Sequence, residues 1–147
     1  MSVRKFLPEN RLAKALNDPS GVLMSQALKQ AASNVEDVRP QLIAALDRKL
    51  DTLRDQAPVL EEGRDDFYRS AREVYADAGA LGLTHISRAA LSLCDLLVSS
   101  APPARQRAGV TVHVDAIMAL RSAREDEGKA QREAILQGLF AISGKSP

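Results

Sequence analysis

Apolar residues recur along this chain at intervals of three and four, the spacing that stacks them on one face of an α-helix. Leu23, Ala27, Leu28, Ala31 and Val35 form the first such stripe. It follows Asp18-Pro19-Ser20, where Asp or Ser can cap a helix and Pro suits its first position. Asn34, with Glu36 and Asp37 behind it, predicts a second helix start, and Pro40 falls within its first turns. Leu42, Ile43, Leu46, Leu50 and Leu53 continue as a clean stripe, with Asp47, Arg48, Asp51 and Arg54 opposite, until Pro58 stops it. A third helix starts near Leu60, with Glu61 and Glu62 at its positive end. Phe67, Ala71, Val74, Ala78 and Leu81 give it a core seam, and Gly79 and Gly82 end it. Leu83 to Ser99 reads as the fourth helix, apolar at Leu83, Ile86, Ala90, Leu93, Cys94 and Leu97. The Pro-Pro pair at 102–103 closes it.

Residues 105–110 read as a loop, and a fifth helix begins near Thr111 with Val114, Ile117, Met118 and Leu120 inward. The stretch Arg121–Glu133 is polar all round and laced by opposite charges four apart: Arg121/Glu125, Glu125/Lys129, Lys129/Glu133. Apolar residues return at Ile135, Leu136, Leu139, Phe140 and Ile142. The tail is therefore one long helix leaving the body or a pair broken at Gly128. No strand pattern of convincing length occurs. The fold expected is all-α: an antiparallel four-helix bundle over 18–122, a basic N-terminal arm at 1–17, and a polar helical extension over 123–147 with an apolar end.

Composition narrows the function more than the fold. The 147 residues carry 20 basic and 19 acidic side chains, a net charge of +1. That balance offers no broad field for nucleic acid or an anionic membrane. No apolar run approaches the ~18 residues of a membrane span, and the basic start has no apolar stretch behind it to make a signal peptide. Cys94 is the single cysteine, which excludes an intramolecular disulfide and fits a reducing, cytoplasmic setting.

The chemistry-bearing residues are sparse. His85 and His113 are far apart, with no HExxH, CxxC or Glu-x-x-His pair, so no metal site is expected and each histidine reads as surface or partly buried. Cys94, between Leu93 and Leu97, reads as a buried inert thiol. No Gly-rich phosphate loop occurs, and no cofactor is expected.

Residues 70–97 read S-A-R-E-V-Y-A-D-A-G-A-L-G-L-T-H-I-S-R-A-A-L-S-L-C-D-L-L. This stretch resembles the histidine-phosphotransfer (Hpt) domain of bacterial two-component signalling. In that family a helix carries A-H-x-L-K-G, a short turn ends in G-L or G-A, and the next helix runs L-x-x-A-x-x-L-E/C-x-x-L. The resemblance aligns Gly82, Leu83, Ile86, Ala89, Ala90, Leu93 and Cys94 with the turn and second helix. It puts Arg72, after Ala71, where the family has its phosphoryl-accepting histidine, with Val74, Tyr75 and Ala76 in place of its Leu, Lys and Gly. The match covers about a fifth of the chain. A guanidinium is held protonated and is a poor nucleophile, so the resemblance implies a degenerate member without phosphotransfer.

The function expected is therefore a non-catalytic Hpt-like adaptor in two-component or chemotaxis signalling, binding a response-regulator receiver or a histidine kinase. Arg72 with Tyr68 and Tyr75, beside small Ala76 and Gly79, is the candidate protein-binding surface, since Tyr and Arg dominate interface hot spots. The other reading of the tyrosines is that they cap the core. One alternative function is a structural module that forms a homodimer through Ile135, Leu139, Phe140 and Ile142 of the C-terminal helix. A second is an active phosphotransfer protein using His85, or else His113.

Overall fold

The structure is a computed structural model that describes residues 24–123 and 128–144. The expected arm at 1–17 and the helix start at Asp18-Pro19-Ser20 lie outside the described residues. Among those described, the regular elements are helical throughout: α1 (Met24–Gln56), a short 3-10 turn (Ala57–Val59), α2 (Arg64–Ala80), α3 (Thr84–Val98), α4 (Pro103–Ser122) and α5 (Lys129–Ser143). The all-α class follows. No helix among the described residues is long and apolar enough to cross a membrane.

The chain divides into two compact units at Val38/Arg39. In the first, every described residue from Met24 to Val38 is solvent-exposed. The helix start expected at Asn34 is absent. Its side-chain oxygen instead accepts a hydrogen bond from Gln30 Nε2, 2.9 Å away on the preceding turn. Pro40 lies inside α1 and not at its start. Proline removes one backbone hydrogen bond, but it is exposed here, where water can satisfy the freed carbonyl.

The second unit is organised around α3, which packs on α2, α4 and α5. Nine of its residues are buried, among them Ile86, Ala89, Ser92, Leu93 and Leu96. An helix apolar on nearly all sides has to be enclosed. Leu46, Leu50 and Leu53 of α1 join the same core, as do Phe67, Ala71, Val74 and Ala78 of α2. Lys49 reaches Glu73 and Asp77 on α2 at 3.1 and 2.8 Å, and Arg121 of α4 grips Asp47 with two bonds at 2.6 and 3.0 Å.

The α2–α3 turn is a Schellman motif. Leu83 N–H donates to the Ala78 carbonyl at 2.8 Å and Gly82 N–H to Gly79 at 3.1 Å. Gly82 takes a φ of +75°, which a residue with a Cβ adopts only at a cost. The far end of α3 is capped by side chains. Arg64 Nη2 donates to the Leu97 carbonyl at 2.6 Å and to Gln106 Oε1 at 2.7 Å, while Gln106 Nε2 donates to Ser99 O at 2.8 Å.

Three expectations are corrected here. Residues 105–110 are helical and not a loop, because the proline pair that ends α3 also opens α4: proline suits a first helical turn, and Gln106 N–H already donates to Pro102 O. The third helix starts at Arg64, after Glu61 and Glu62. The long C-terminal helix is two: α4 ends at Ser122, and α5 begins after Gly128, whose φ of +78° cannot continue a helix. The apolar end of α5 faces inward. Leu136, Leu139 and Phe140 are buried, so of the patch assigned to a homodimer Leu139 and Phe140 are covered within the chain, while Ile135 and Ile142 are half-buried. Arg88 of α3 holds it further, 5.3 Å from the Phe140 ring centroid and 3.3 Å from Glu133.

Because α3 is the shared wall, shaving it should cost most. Leu93→Ala is expected to lower unfolding free energy by ~2–5 kcal/mol, whereas Val98→Ala on its exposed edge should stay within ~0.5 kcal/mol. Urea titration of both variants checks this.

Candidate functional site

The exposed face of α2 carries the expected binding residues. Phe67, Ala71, Val74 and Ala78 turn into the core, which forces the residues between them outward. Asp65, Tyr68, Arg69, Arg72, Glu73 and Ala76 line a shallow open groove along this face. Tyr68 is half-buried and packs its ring against the core, while Arg72 and Ala76 are exposed. Arg69 is paired with Asp66 at 3.0 Å, but Arg72 forms no hydrogen bond or ion pair with any described residue. The groove is of mixed sign: two guanidinium groups stand among the carboxylates of Asp65 and Glu73.

Tyr75 and Gly79 do not line this groove. They lie towards α3, where the Ser87 hydroxyl donates to the Tyr75 carbonyl at 3.0 Å. A Cβ on Gly79 would meet Ser87 Oγ at 3.3 Å, so the small residue serves the α2–α3 contact. Tyr75 is 41% exposed and does not cap the core, in contrast to Tyr68. Cys94, on the facing surface of α3, is buried as expected. Burial first, and Asp95 second, push its thiol up to about 11, against a smaller opposite pull from Arg72.

The sequence reading missed a buried polar cluster. His113 is fully enclosed, not at the surface, and lies on the inner stripe of α4 with Val110, Val114 and Ile117. Its Nδ1 is 2.7 Å from the Gly109 carbonyl and its Nε2 is 3.0 Å from Ser92 Oγ. A carbonyl only accepts, so Nδ1 carries the proton and Nε2 accepts from the Ser92 hydroxyl. Ser143 Oγ of α5 lies 3.1 Å from Ser92 Oγ, and the Ser143 hydroxyl itself donates to the Phe140 carbonyl at 3.0 Å, so the Ser92 hydroxyl faces two acceptors, the imidazole and Ser143. A serine paired with an imidazole has the composition of a nucleophile and its base. Here Ser92 is 0% exposed, so no substrate can reach it and the cluster joins α3, α4 and α5. The spacing of His113 from Val110 and Ile117 was the available signal.

Burial also holds His113 below its ordinary value of 6.5, against a smaller upward pull from its bond to Gly109. His85 is half-buried beside the α2–α3 turn, in a cleft with Arg121 and Leu120, away from the Arg72 groove. Among the described residues no group of three or more His, Cys, Asp or Glu could hold a metal ion. No protein-family model, curated protein or solved structure matches this chain.

Two measurements test this geometry. As pH falls below about 6.5, the unfolded chain takes up the His113 proton and the folded chain resists it, so stability is lost on acidification. The urea midpoint should fall between pH 7.5 and 5, and more steeply than in His113→Gln, which removes that titration. Cys94 should resist a thiol reagent at pH 8 in the folded protein and react fully once unfolded in urea.

Proposed function

We propose that this protein is a non-catalytic Hpt-like adaptor of bacterial two-component or chemotaxis signalling, acting in the cytoplasm by presenting α2 to a response-regulator receiver or a histidine kinase. The observation that carries this reading is Arg72. It stands exposed on the groove of α2, at the position where the family it resembles has its phosphoryl-accepting histidine. An antiparallel pair of helices joined by a glycine turn, as α2 and α3 are, is the element on which that family mounts its histidine. The remaining helices would complete a bundle of the same kind.

Replacing the imidazole with a guanidinium ends phosphoryl acceptance and leaves a docking group. Receiver domains hold their phosphorylation chemistry in a cluster of carboxylates. A guanidinium presents planar paired donors to such a cluster and keeps its charge. Tyr68 lines the groove beside it with flat apolar surface of the kind that supplies hot spots, while Tyr75 lies off the groove towards α3. Asp65 and Glu73 beside it would penalise an acidic surface that approaches off-centre, which gives the groove selectivity.

Titration calorimetry against a panel of purified receiver and kinase domains tests the reading. At least one should bind, and Arg72→Glu should weaken it by on the order of thirtyfold or more. Equal affinity in Arg72→Glu, or no binding across the panel, overturns it.

A further inference from the structure

His113 is enclosed completely, and the bonds around it reach three helices. Its Nδ1 holds the Gly109 carbonyl within α4, its Nε2 meets the Ser92 hydroxyl of α3, and Ser92 meets the Ser143 hydroxyl of α5. Burial and the Gly109 bond set the ring's affinity for a proton, with no charged neighbour among the causes. The charged groups of the same helices are engaged elsewhere. Arg88 meets Glu133 one turn before Ser92, Arg121 meets Asp47 two turns beyond His113, and Arg64 caps the far end of α3. Asp95 acts on Cys94, Asp115 is exposed, and Lys129, Arg132 and Glu133 all lie near the start of α5, away from Ser143. We propose that α5 is an acid-released latch: a proton taken up at His113 favours a state in which α5 lifts off α3 and α4 while the rest of the second unit keeps its fold.

Protonation turns Nε2 from an acceptor into a donor. Ser92 can answer by directing its own proton to Ser143, whose hydroxyl already donates to the Phe140 carbonyl. The hydrogen bonds therefore survive, and the charge decides the outcome. An enclosed cation without a counter-ion costs more than hydrogen bonds to neutral oxygens return. Its relief is water at the ring.

α5 is the element placed to admit it. α3 buries nine residues among its neighbours, and α4 is tied near one end by Gln106 and near the other by the Arg121–Asp47 pair. α5 buries three, Leu136, Leu139 and Phe140, and rests on α3 and α4. Left-handed glycines, Gly128 and Gly144, stand at its two ends, so it can shift as a unit without bending a helix beside it. Segments with few buried contacts open at a smaller free energy than the whole fold. Ser143, half-buried in the last turn, carries the cluster to the surface, so lifting this turn wets the Nε2 side of the ring and leaves the Gly109 bond in place. The same movement bares the apolar face of α5. It does not involve the α2 groove, so the latch and the docking role can fail separately.

Residue-resolved amide hydrogen exchange of the full chain at pH 7.5 and pH 5, corrected for intrinsic rates, tests this. The amides of Leu136, Leu139 and Phe140 should exchange through an opening smaller than global unfolding, with lower protection than those of Leu46 and Phe67 at both pH values. Their opening constant should rise by about thirtyfold from pH 7.5 to pH 5, the ratio expected when an opened imidazole of ordinary pKa 6.5 takes the proton and the enclosed one does not. In His113→Gln the rise should vanish while α5 keeps its lower protection. His113→Leu, which also cannot titrate and leaves the enclosed site apolar, takes its place if the glutamine variant does not fold. Protection of α5 equal to that of Leu46 and Phe67, an opening with no pH dependence, or the same rise in the non-titrating variant overturns the latch.

Discussion

Ser92 sits where α3, α4 and α5 converge, and its one hydroxyl is asked to satisfy an imidazole on one side and a serine on the other. The apolar residues around it would tolerate many relative placements of the helices, since packing alone is weakly directional. Hydrogen bonds at 2.7, 3.0 and 3.1 Å tolerate few. The cluster therefore fixes the register of α4 and α5 on α3, with the one Ser92 proton shared between the imidazole and the Ser143 hydroxyl oxygen. A half-satisfied group in the same place would cost more than the cluster contributes.

A second constraint acts at the end of α3. Three carbonyls there would face a core, and Arg64, Gln106 and Ser99 answer them. Arg64 comes from the start of α2 and Gln106 from the first turns of α4, so the cap also determines where those two helices begin relative to α3. Gly109 then lets the α4 backbone come close, because a Cβ there would lie 2.6 Å from Leu96 Cδ2. The exposed face of α2 depends on this frame. With Phe67, Ala71 and Val74 held inward, Arg72 has no direction left but out.

Much of the architecture was legible in the residue pattern. The seam from Phe67 to Leu81, the glycine turn and the apolar α3 were read where they lie, because periodicity and turn chemistry agree there. The misreadings share a cause: local signals with two meanings. A proline pair stops one helix and starts the next, and only tertiary context shows that it does both. Asn34 has the chemistry of a cap but spends it on Gln30. The polar run before Lys129 concealed that the apolar residues after it return to the body. Of the candidate site, Tyr68, Arg72 and Ala76 were legible from helical spacing. The turning of Gly79 and the Tyr75 backbone towards α3 was not, because it depends on Ser87 across the turn. The enclosure of His113 was not read, because a helix started near Thr111 leaves out Val110, the residue that with Ile117 puts His113 on an apolar stripe.

The bond between Ser92 and Ser143 spans 51 positions of sequence. During synthesis α3 and α4 leave the ribosome well before α5 does, and until residue 143 follows them the Ser92–His113 side of the hairpin has no lid. A nascent chain at that stage exposes the apolar wall later closed by Leu136, Leu139 and Phe140. Chains whose α5 has not yet docked are thus the species most exposed to chaperone capture and to mispairing with one another, and the docking of that single short helix removes the exposure.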